Sequence, residues 1–285
     1  MTKLADLPDD TALALEIRRV RHPLQVRALS VAAVQALTPH MRRLTLAGPS
    51  LADLHSDGFD DHVKLLLPPA GSDTLVLPLP GPDGRPDFAA AGLPPPIARD
   101  YTPRHVDRSA CTLQIDFSLH GDGPAARWAA QARVGDTVHV AGPRGSMVLP
   151  TDLRWQWLIG DESALPAIAR RLEDLPASVD VTVVLETQHA DDPLPLLPQR
   201  DGLRLLRVGR PAAGDAATLA APLVQAVRGL PPPAGRGHAF AAAESHTVQA
   251  VRGVLVGHHG LLKGQVRASA YWRRGASGHH ENIEG

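Results

Sequence analysis

The chain has 285 residues, 44% of them apolar and 21% charged, with a formal net charge of −1 at pH 7. That length favours two domains of ordinary size, and the near-neutral balance excludes an extended basic surface for nucleic acid or acidic lipid, so any cationic site must be local. One cysteine, Cys111, excludes an internal disulfide framework and any cysteine-based metal or iron–sulfur site.

The N-terminal stretch MTKLADLPDDTALALEIRRV lacks a basic start followed by a long apolar run, and no later segment offers about 18 uncharged apolar residues. A cytoplasmic protein without membrane insertion is expected. Residues 1–22 are read as an extension. Short strands punctuated by Pro and Gly follow: QVRALSVAAV, MRRLTLAG, 62–68, 74–79, 111–119 and 136–143. Such spacing predicts a barrel or a sandwich over 23–152.

From 153 to 275 strands alternate with helices. Strands are expected at 154–160, 180–187, 203–209, 238–243 and 265–272, and helices at 164–175, 218–230 and 247–258. This is the pattern of an α/β unit with a largely parallel sheet. The Pro- and Gly-rich stretches 68–98 and 231–237 are expected as loops, and 276–285 as a polar tail.

HGDGPAARWAAQA (120–132) leaves a strand and opens a helix, with Gly121, Gly123 and Ala126 at dinucleotide-motif spacing. Helix N-terminal N–H groups beside glycines favour a phosphate. The second strand and acidic residue of a Rossmann unit are missing here, because Asp136 sits in a turn before its strand. The motif is therefore either a phosphate cradle outside a Rossmann unit or a Gly-rich turn with Trp128 as core packing. About 20 residues upstream, Arg99 offers a planar fork for a diphosphate, Tyr101 a flat face for an aromatic ring, and Thr102 a hydroxyl for a ring nitrogen. Together they describe a flavin dinucleotide; the alternative is an exposed turn bent by Pro103 with two surface arginines.

Four motifs resemble one family. RDYTPR (99–104) looks like its R-x-Y-T flavin motif, DFSLHGDGPAARWA (116–129) its phosphate segment, GDESALPAIARRL (160–172) its second-domain start and AYWRRG (270–275) its C-terminal signature. The family is the siderophore-interacting proteins, or ferric-siderophore reductases, of the ferredoxin-reductase superfamily. SDGFDDHVKLLLP (56–68) is similar to the branch described as ferric-chelate reductases. Two positions depart from the pattern: AAAES (241–245) stands where a Gly-Glu is usual, and Ser163 where threonine is common.

The resemblance implies an N-terminal antiparallel Greek-key β-barrel holding FAD, then an α/β domain receiving NADH or NADPH. Hydride would pass to the flavin, and single electrons to iron(III) in a ferric siderophore. Arg99, Tyr101, Thr102, His120, Gly121, Gly123, Ala125 and Trp128 are implied on the flavin side, with Tyr101 and Thr102 nearest the chemistry. On the nicotinamide side are Asp161, Glu162, Ser163, Glu186 and Trp272, with Tyr271 and Trp272 either shielding the flavin or packing in the core. Lys64 and Arg267 are the cations expected to meet an anionic siderophore, with Arg104 and Arg144 undirected. A monomer is expected. A reduced ferredoxin is the alternative donor; a siderophore-binding module with structural FAD and a general flavin or ferredoxin reductase are the alternative functions.

Other chemistry is weaker. The fourteen histidines include pairs at 258–259 and 279–280, but no carboxylate–histidine spacing on a helix completes a metal site. Ser163 is not a hydrolase nucleophile, since Leu165 occupies the place of the second glycine of G-x-S-x-G. Glu186 ends its strand, where a carboxylate accepts a ribose 2′-hydroxyl and repels a 2′-phosphate. This leans toward NADH, although His189 and nearby arginines could accommodate NADPH.

Overall fold

A computed structural model of the chain describes residues 15–69, 71–72, 74–77, 79–80, 86–87, 94–119, 123–188, 197–276 and 281–283. Two compact units emerge, one of residues 19–146 and one built on residues 147–285 with 1–18.

The first unit is strand-rich. β1 (Val26–Thr38), β2 (Met41–Ala47), β3 (Val63–Leu67), β4 (Ile97–Tyr101), β5 (His105–Asp107) and β6 (Thr112–Ser118) precede helix α1 (Pro124–Gln131) and strand β7 (Thr137–Ala141). They form one seven-stranded sheet in the order β4-β3-β7-β1-β2-β6-β5, antiparallel at every pairing. Strand β7 returns late in the chain to lie between β3 and β1, a Greek-key connection.

The edge strands β4 and β5 stand at opposite ends of that order, yet only Thr102, Pro103 and Arg104 join them. Laid flat, seven strands would span roughly 29 Å, whereas the link from Tyr101 to His105 reaches at most about 14 Å. The sheet must therefore curl until its edges meet. Thr102–Arg104 bridge the seam of a barrel, and all three are buried. Alternation does the rest: Val63, Leu65 and Leu67 point into the core while Lys64 points away. Leu44, Leu46, Leu113, Ile115 and Phe117 fill the interior.

Residues 74–77 do not form the strand expected over 74–79. β3 pairs directly with β4, from Val63↔Tyr101 to Leu67↔Ile97, which leaves that segment no place between them. Conversely, β4 and β5 were hidden by composition: Arg, Asp and Pro are poor strand formers, and both strands are held by their place at the edges.

The second unit runs β8 (Trp155–Gly160), α2 (Leu165–Asp174), β9 (Asp180–Thr187), β10 (Arg204–Gly209), α3 (Ala216–Arg228), β11 (Gly237–Glu244), α4 (Ser245–Gly257), β12 (Val266–Trp272) and β13 (Glu281–Asn282). The sheet order is β10-β9-β8-β11-β12-β13, parallel except for the β12–β13 pair at the edge. β8 is central, the chain moving to one side through β9 and β10 and then returning through β11. That reversal beside β8 creates a crevice at the carboxyl ends of the strands. Glu281–Asn282 thus fall in an edge strand, within the stretch expected as a tail.

One face of this sheet, carrying Ile159 and Val184, packs on Leu223 and Val227 of α3 and Val248, Val251 and Leu255 of α4. At the opposite end from the crevice, Gln156 of β8 bonds His238 of β11 at 3.0 Å and accepts from Arg171 of α2. Arg171 also donates to the Pro150 carbonyl at 2.7 Å. Burial, reinforced by Arg171 and Arg267, pushes the His238 imidazole down to about 3, so it is neutral.

Candidate active sites: the barrel seam and the carboxyl edge of the parallel sheet

In the barrel, Arg99 and Tyr101 share the face of β4 that bears Ile97, while Asp100 lies on the other. Tyr101 packs on the core, its ring 4.4 Å from that of Phe117 and tilted by 45°. Phe117 in turn meets Trp128 of α1 edge-on at 5.9 Å. Three aromatic rings thus connect the seam strand, β6 and α1. Burial pushes the Tyr101 phenol up to about 12, against the opposing pull of Arg99. Its hydroxyl therefore stays protonated across the physiological range.

Thr102 and Arg104 are 7% and 9% exposed, and the Arg104 N–H donates to the Gln114 carbonyl at 2.8 Å. These positions exclude the exposed-turn alternative for RDYTPR. Arg99 is half-buried, with Nη1 on the Ala98 carbonyl at 2.8 Å.

α1 begins at Gly123 with Pro124 in its first turn; no side chain caps it and no acidic residue lies in that turn. A Cβ at Gly123 would meet nothing within 4 Å. The first-turn N–H groups are thus left to an outside acceptor, and an anion is the matching partner. Trp128 serves the core, as its packing alternative anticipated, and Ala125 is buried beneath the same turn. His120 and Gly121 lie outside the described residues. The guanidinium, hydroxyl, ring and uncapped helix start present in this unit fit the diphosphate and ring system of FAD.

Lys64 is on the outward face of β3 and donates to Asp100, its register partner, at 2.7 Å. Its side chain is 45% exposed.

In the second unit, Gly160 ends β8 where a Cβ would come within 2.6 Å of both the Ala164 side chain and the Ala242 carbonyl. Only glycine allows the turn that follows. Asp161 caps it by accepting from the Ser163 N–H and hydroxyl and from Trp272 Nε1, the last at 2.8 Å. Glu162 accepts from the Gln188 N–H. Glu244, in the segment that departs from the family pattern, caps α4 by accepting from the N–H groups of His246 and Thr247.

The group that joins these carboxylates is Arg210, just past β10. Its Nε donates to Glu186 at 2.7 Å and its Nη2 to Glu162 at 2.7 Å, with Asp161 at 3.6 Å. The three carboxylates are 1–5% exposed and the Arg210 side chain 13%. Burial raises the Asp161 and Glu186 carboxyls while Arg210 opposes the shift. Burial acts to lower the Arg210 guanidinium, but the carboxylates more than reverse it, holding it charged. Trp272 is flanked by two cations, Arg210 at 5.8 Å and Arg274 at 5.6 Å from its ring centre.

Asp161, Glu162, Ser163, Glu186 and Trp272 are thus brought together, and sequence reasoning missed the member that holds them. Its signal was positional: in a parallel sheet the residues just past β8, β9 and β10 share one edge. Arg267 is elsewhere, five residues before Trp272 on β12, about 17 Å along the strand, with Nη1 3.0 Å from Met147 Sδ. His189 lies outside the described residues. Of the adjacent histidines, His259 packs on Trp157 at 4.9 Å and bonds the Val227 carbonyl. No cluster of three potential metal ligands occurs among the described residues.

Fold and sites define a class: a flavoprotein whose antiparallel barrel binds FAD and whose parallel sheet offers its carboxyl edge to a nucleotide. Residues 30–147 match the siderophore-interacting FAD-binding domain and residues 153–275 the siderophore-interacting protein domain. The chain is 41% identical over 163 residues to an NADPH-dependent ferric-chelate reductase of Escherichia coli, covering 55% of this chain and 60% of that protein. It is 30% identical over 253 residues to the ferric vibriobactin reductase ViuB of Vibrio cholerae, covering 87% of this chain and 90% of that one. The crystal structure of a siderophore utilization protein from T. fusca superposes with a TM-score of 0.79 at 37% identity, over 92% of this chain and 98% of that one. The chain belongs to the siderophore-interacting protein family.

Proposed function

We propose that the chain is an FAD-dependent NAD(P)H:ferric-siderophore reductase, with residues 23–152 as the flavin domain and 153–275 as the dinucleotide domain. The observation that carries this reading is the buried barrel seam, where Arg99, Tyr101 and Thr102 stand in the unit that also holds the uncapped start of α1. The names of the relatives from Escherichia coli and Vibrio cholerae support the substrate class.

FAD, when bound, accepts two electrons as hydride from a nicotinamide and releases them singly. The chain's own groups do the holding. Arg99 supplies a planar charged fork to the diphosphate, the first-turn N–H groups of α1 meet phosphate oxygens, and Thr102 offers a hydroxyl to the ring edge. Tyr101, fixed against Phe117, gives the ring a rigid wall. The cluster around Arg210 fixes the crevice at which the dinucleotide arrives. Iron(II) suits hard oxygen donors less well than iron(III), so reduction loosens the chelate without a protein ligand to the metal.

Of the cations expected to meet the anionic chelate, Lys64 retains that role here. Its pair with Asp100 is solvent-exposed, and such pairs are weak enough for an anion to compete. The role of Arg267 rests on the resemblance alone. We place the enzyme in the cytoplasm as a monomer; no described helix is long and apolar enough to cross a membrane.

Purified protein is expected to be yellow and to form iron(II) from a ferric siderophore when given a reduced nicotinamide. Colourless protein that cannot be loaded with FAD would overturn the assignment. Flavin that is reduced by dinucleotide but passes no electrons to any ferric chelate would leave the binding-module alternative.

A further inference from the structure

The electron donor is decided at the edge of the parallel sheet. Glu186 is 4% exposed, and while its Oε2 is held by Arg210, its Oε1 is buried with no hydrogen-bond partner. A buried acceptor left without a donor costs free energy. It sits at the end of β9, the strand after the central β8, which is where a carboxylate in an α/β nucleotide site accepts the ribose 2′-hydroxyl.

The surrounding charge is set by the same arrangement. Asp161, Glu162 and Glu186 converge on one guanidinium, so the cluster carries more negative than positive charge. Arg207, the next arginine back on β10, stands opposite Leu185, and its Nη2 approaches Thr187 Oγ1 at 3.4 Å. Strand alternation puts Leu185, Thr187 and Arg207 on the face away from Glu186 and Arg210. Arg274 stacks on Trp272. A 2′-phosphate, bearing up to about two negative charges, needs cations that are not already neutralised.

We propose that Glu186 is the specificity-determining residue for the donor, its Oε1 accepting the ribose 2′-hydroxyl, with Arg210 as the positioning residue, and that the chain therefore selects NADH over NADPH. The inference rests on the dinucleotide being the donor, and it sets this chain apart from the relative whose name specifies NADPH. Arg210 acts in two ways. It holds Glu186 with one oxygen engaged and one available, and it places two further carboxylates where they oppose a phosphate.

The test uses flavin-loaded full-length protein titrated calorimetrically with ADP-ribose and with 2′-phospho-ADP-ribose, neither of which transfers electrons. ADP-ribose is expected to bind at least about tenfold more tightly, a difference that converts to about 1.4 kcal/mol. Glu186→Gln keeps the shape, removes the charge and should shrink that ratio about tenfold. Equal or tighter binding of the phosphorylated ligand by the wild-type protein overturns the proposal whether or not the variant folds. So does binding of neither ligand, or a ratio that a folded Glu186→Gln protein leaves unchanged. Ferric-siderophore reduction by dithionite-reduced protein, measured in parallel, reports on the proposed function independently of the nucleotide ratio.

Discussion

The barrel seam and the edge of the parallel sheet solve opposite problems. At the seam, polar groups are positioned but not neutralised: Arg99 meets a backbone carbonyl and α1 begins without a cap. At the edge, four buried ionic side chains satisfy one another, and a single oxygen of Glu186 is left over. The first arrangement suits a large anionic ligand that stays bound and replaces water. The second suits a ligand that visits, because the surface it meets is already built. The difference teaches that the seam should depend on its ligand for order, while the edge should depend on its own ion pairs.

Removing the central cation should expose that difference most strongly. Arg210→Met leaves three buried carboxylates without their partner, and breaking such an arrangement from one side costs about 3–5 kcal/mol. A fall of that size in denaturant-derived stability is expected, with FAD affinity of the surviving folded protein little changed. A variant as stable as wild type would show that the cluster does not hold the edge together.

Arg99→Ala attacks the other region. Loss of a charge-assisted contact of about 1.5–3 kcal/mol should weaken FAD binding by roughly ten- to 150-fold. Fluorescence titration of deflavinated protein measures it. Stability of the flavin-free protein should be almost unaffected, because the lost interaction is with the ligand. An unchanged FAD affinity would remove Arg99 from the site.

Acid should act on the second unit through His238. Its folded-state value of about 3 lies below the ordinary imidazole value of 6.5, so folding favours the neutral ring and unfolding takes up a proton. The contribution is complete above pH 6.5 and is lost as pH falls toward 3, with a slope of about 1.4 kcal/mol per pH unit. Near pH 5 the loss is about 2 kcal/mol. His238→Gln should flatten the stability profile over that interval; an unaltered slope would mean the ring is protonated in the fold.

How much of this was legible follows from how each region is assembled. The flavin-side residues Arg99, Tyr101 and Thr102 are contiguous, so a motif carried them, although their strand was hidden because Arg and Asp disguise β4. What composition concealed was the seam itself, since nothing local says that Tyr101 and His105 belong to opposite edges of one sheet. The second region was legible as strand ends, and Asp161, Glu162, Ser163, Glu186 and Trp272 were all found. Arg210 escaped because its importance comes from parallel pairing, which brings residue 210 beside residues 161 and 186 without any motif linking them. Lys64 shows the reverse error of attention: reading it as a lone cation overlooked Asp100, 36 residues on, directly opposite across the β3–β4 ladder.

Lys64→Ala is the mildest perturbation and the most discriminating for the substrate. An exposed pair contributes about 0–1 kcal/mol to stability, so folding should scarcely change. Lys64 also points to the side of β3 opposite the core face shared with Arg99 and Tyr101, and FAD content should therefore stay at the wild-type level. If the ammonium leaves Asp100 to meet an anionic chelate, its loss should raise KM for the ferric siderophore severalfold and leave flavin reduction by dinucleotide untouched. Asp100→Asn separates the alternatives, because freeing Lys64 from its partner should lower KM if the lysine contacts the chelate. Loss of flavin from Lys64→Ala would place the lysine in the cofactor site, and unchanged KM in both variants would leave the Lys64–Asp100 pair as a clasp between two edge-proximal strands.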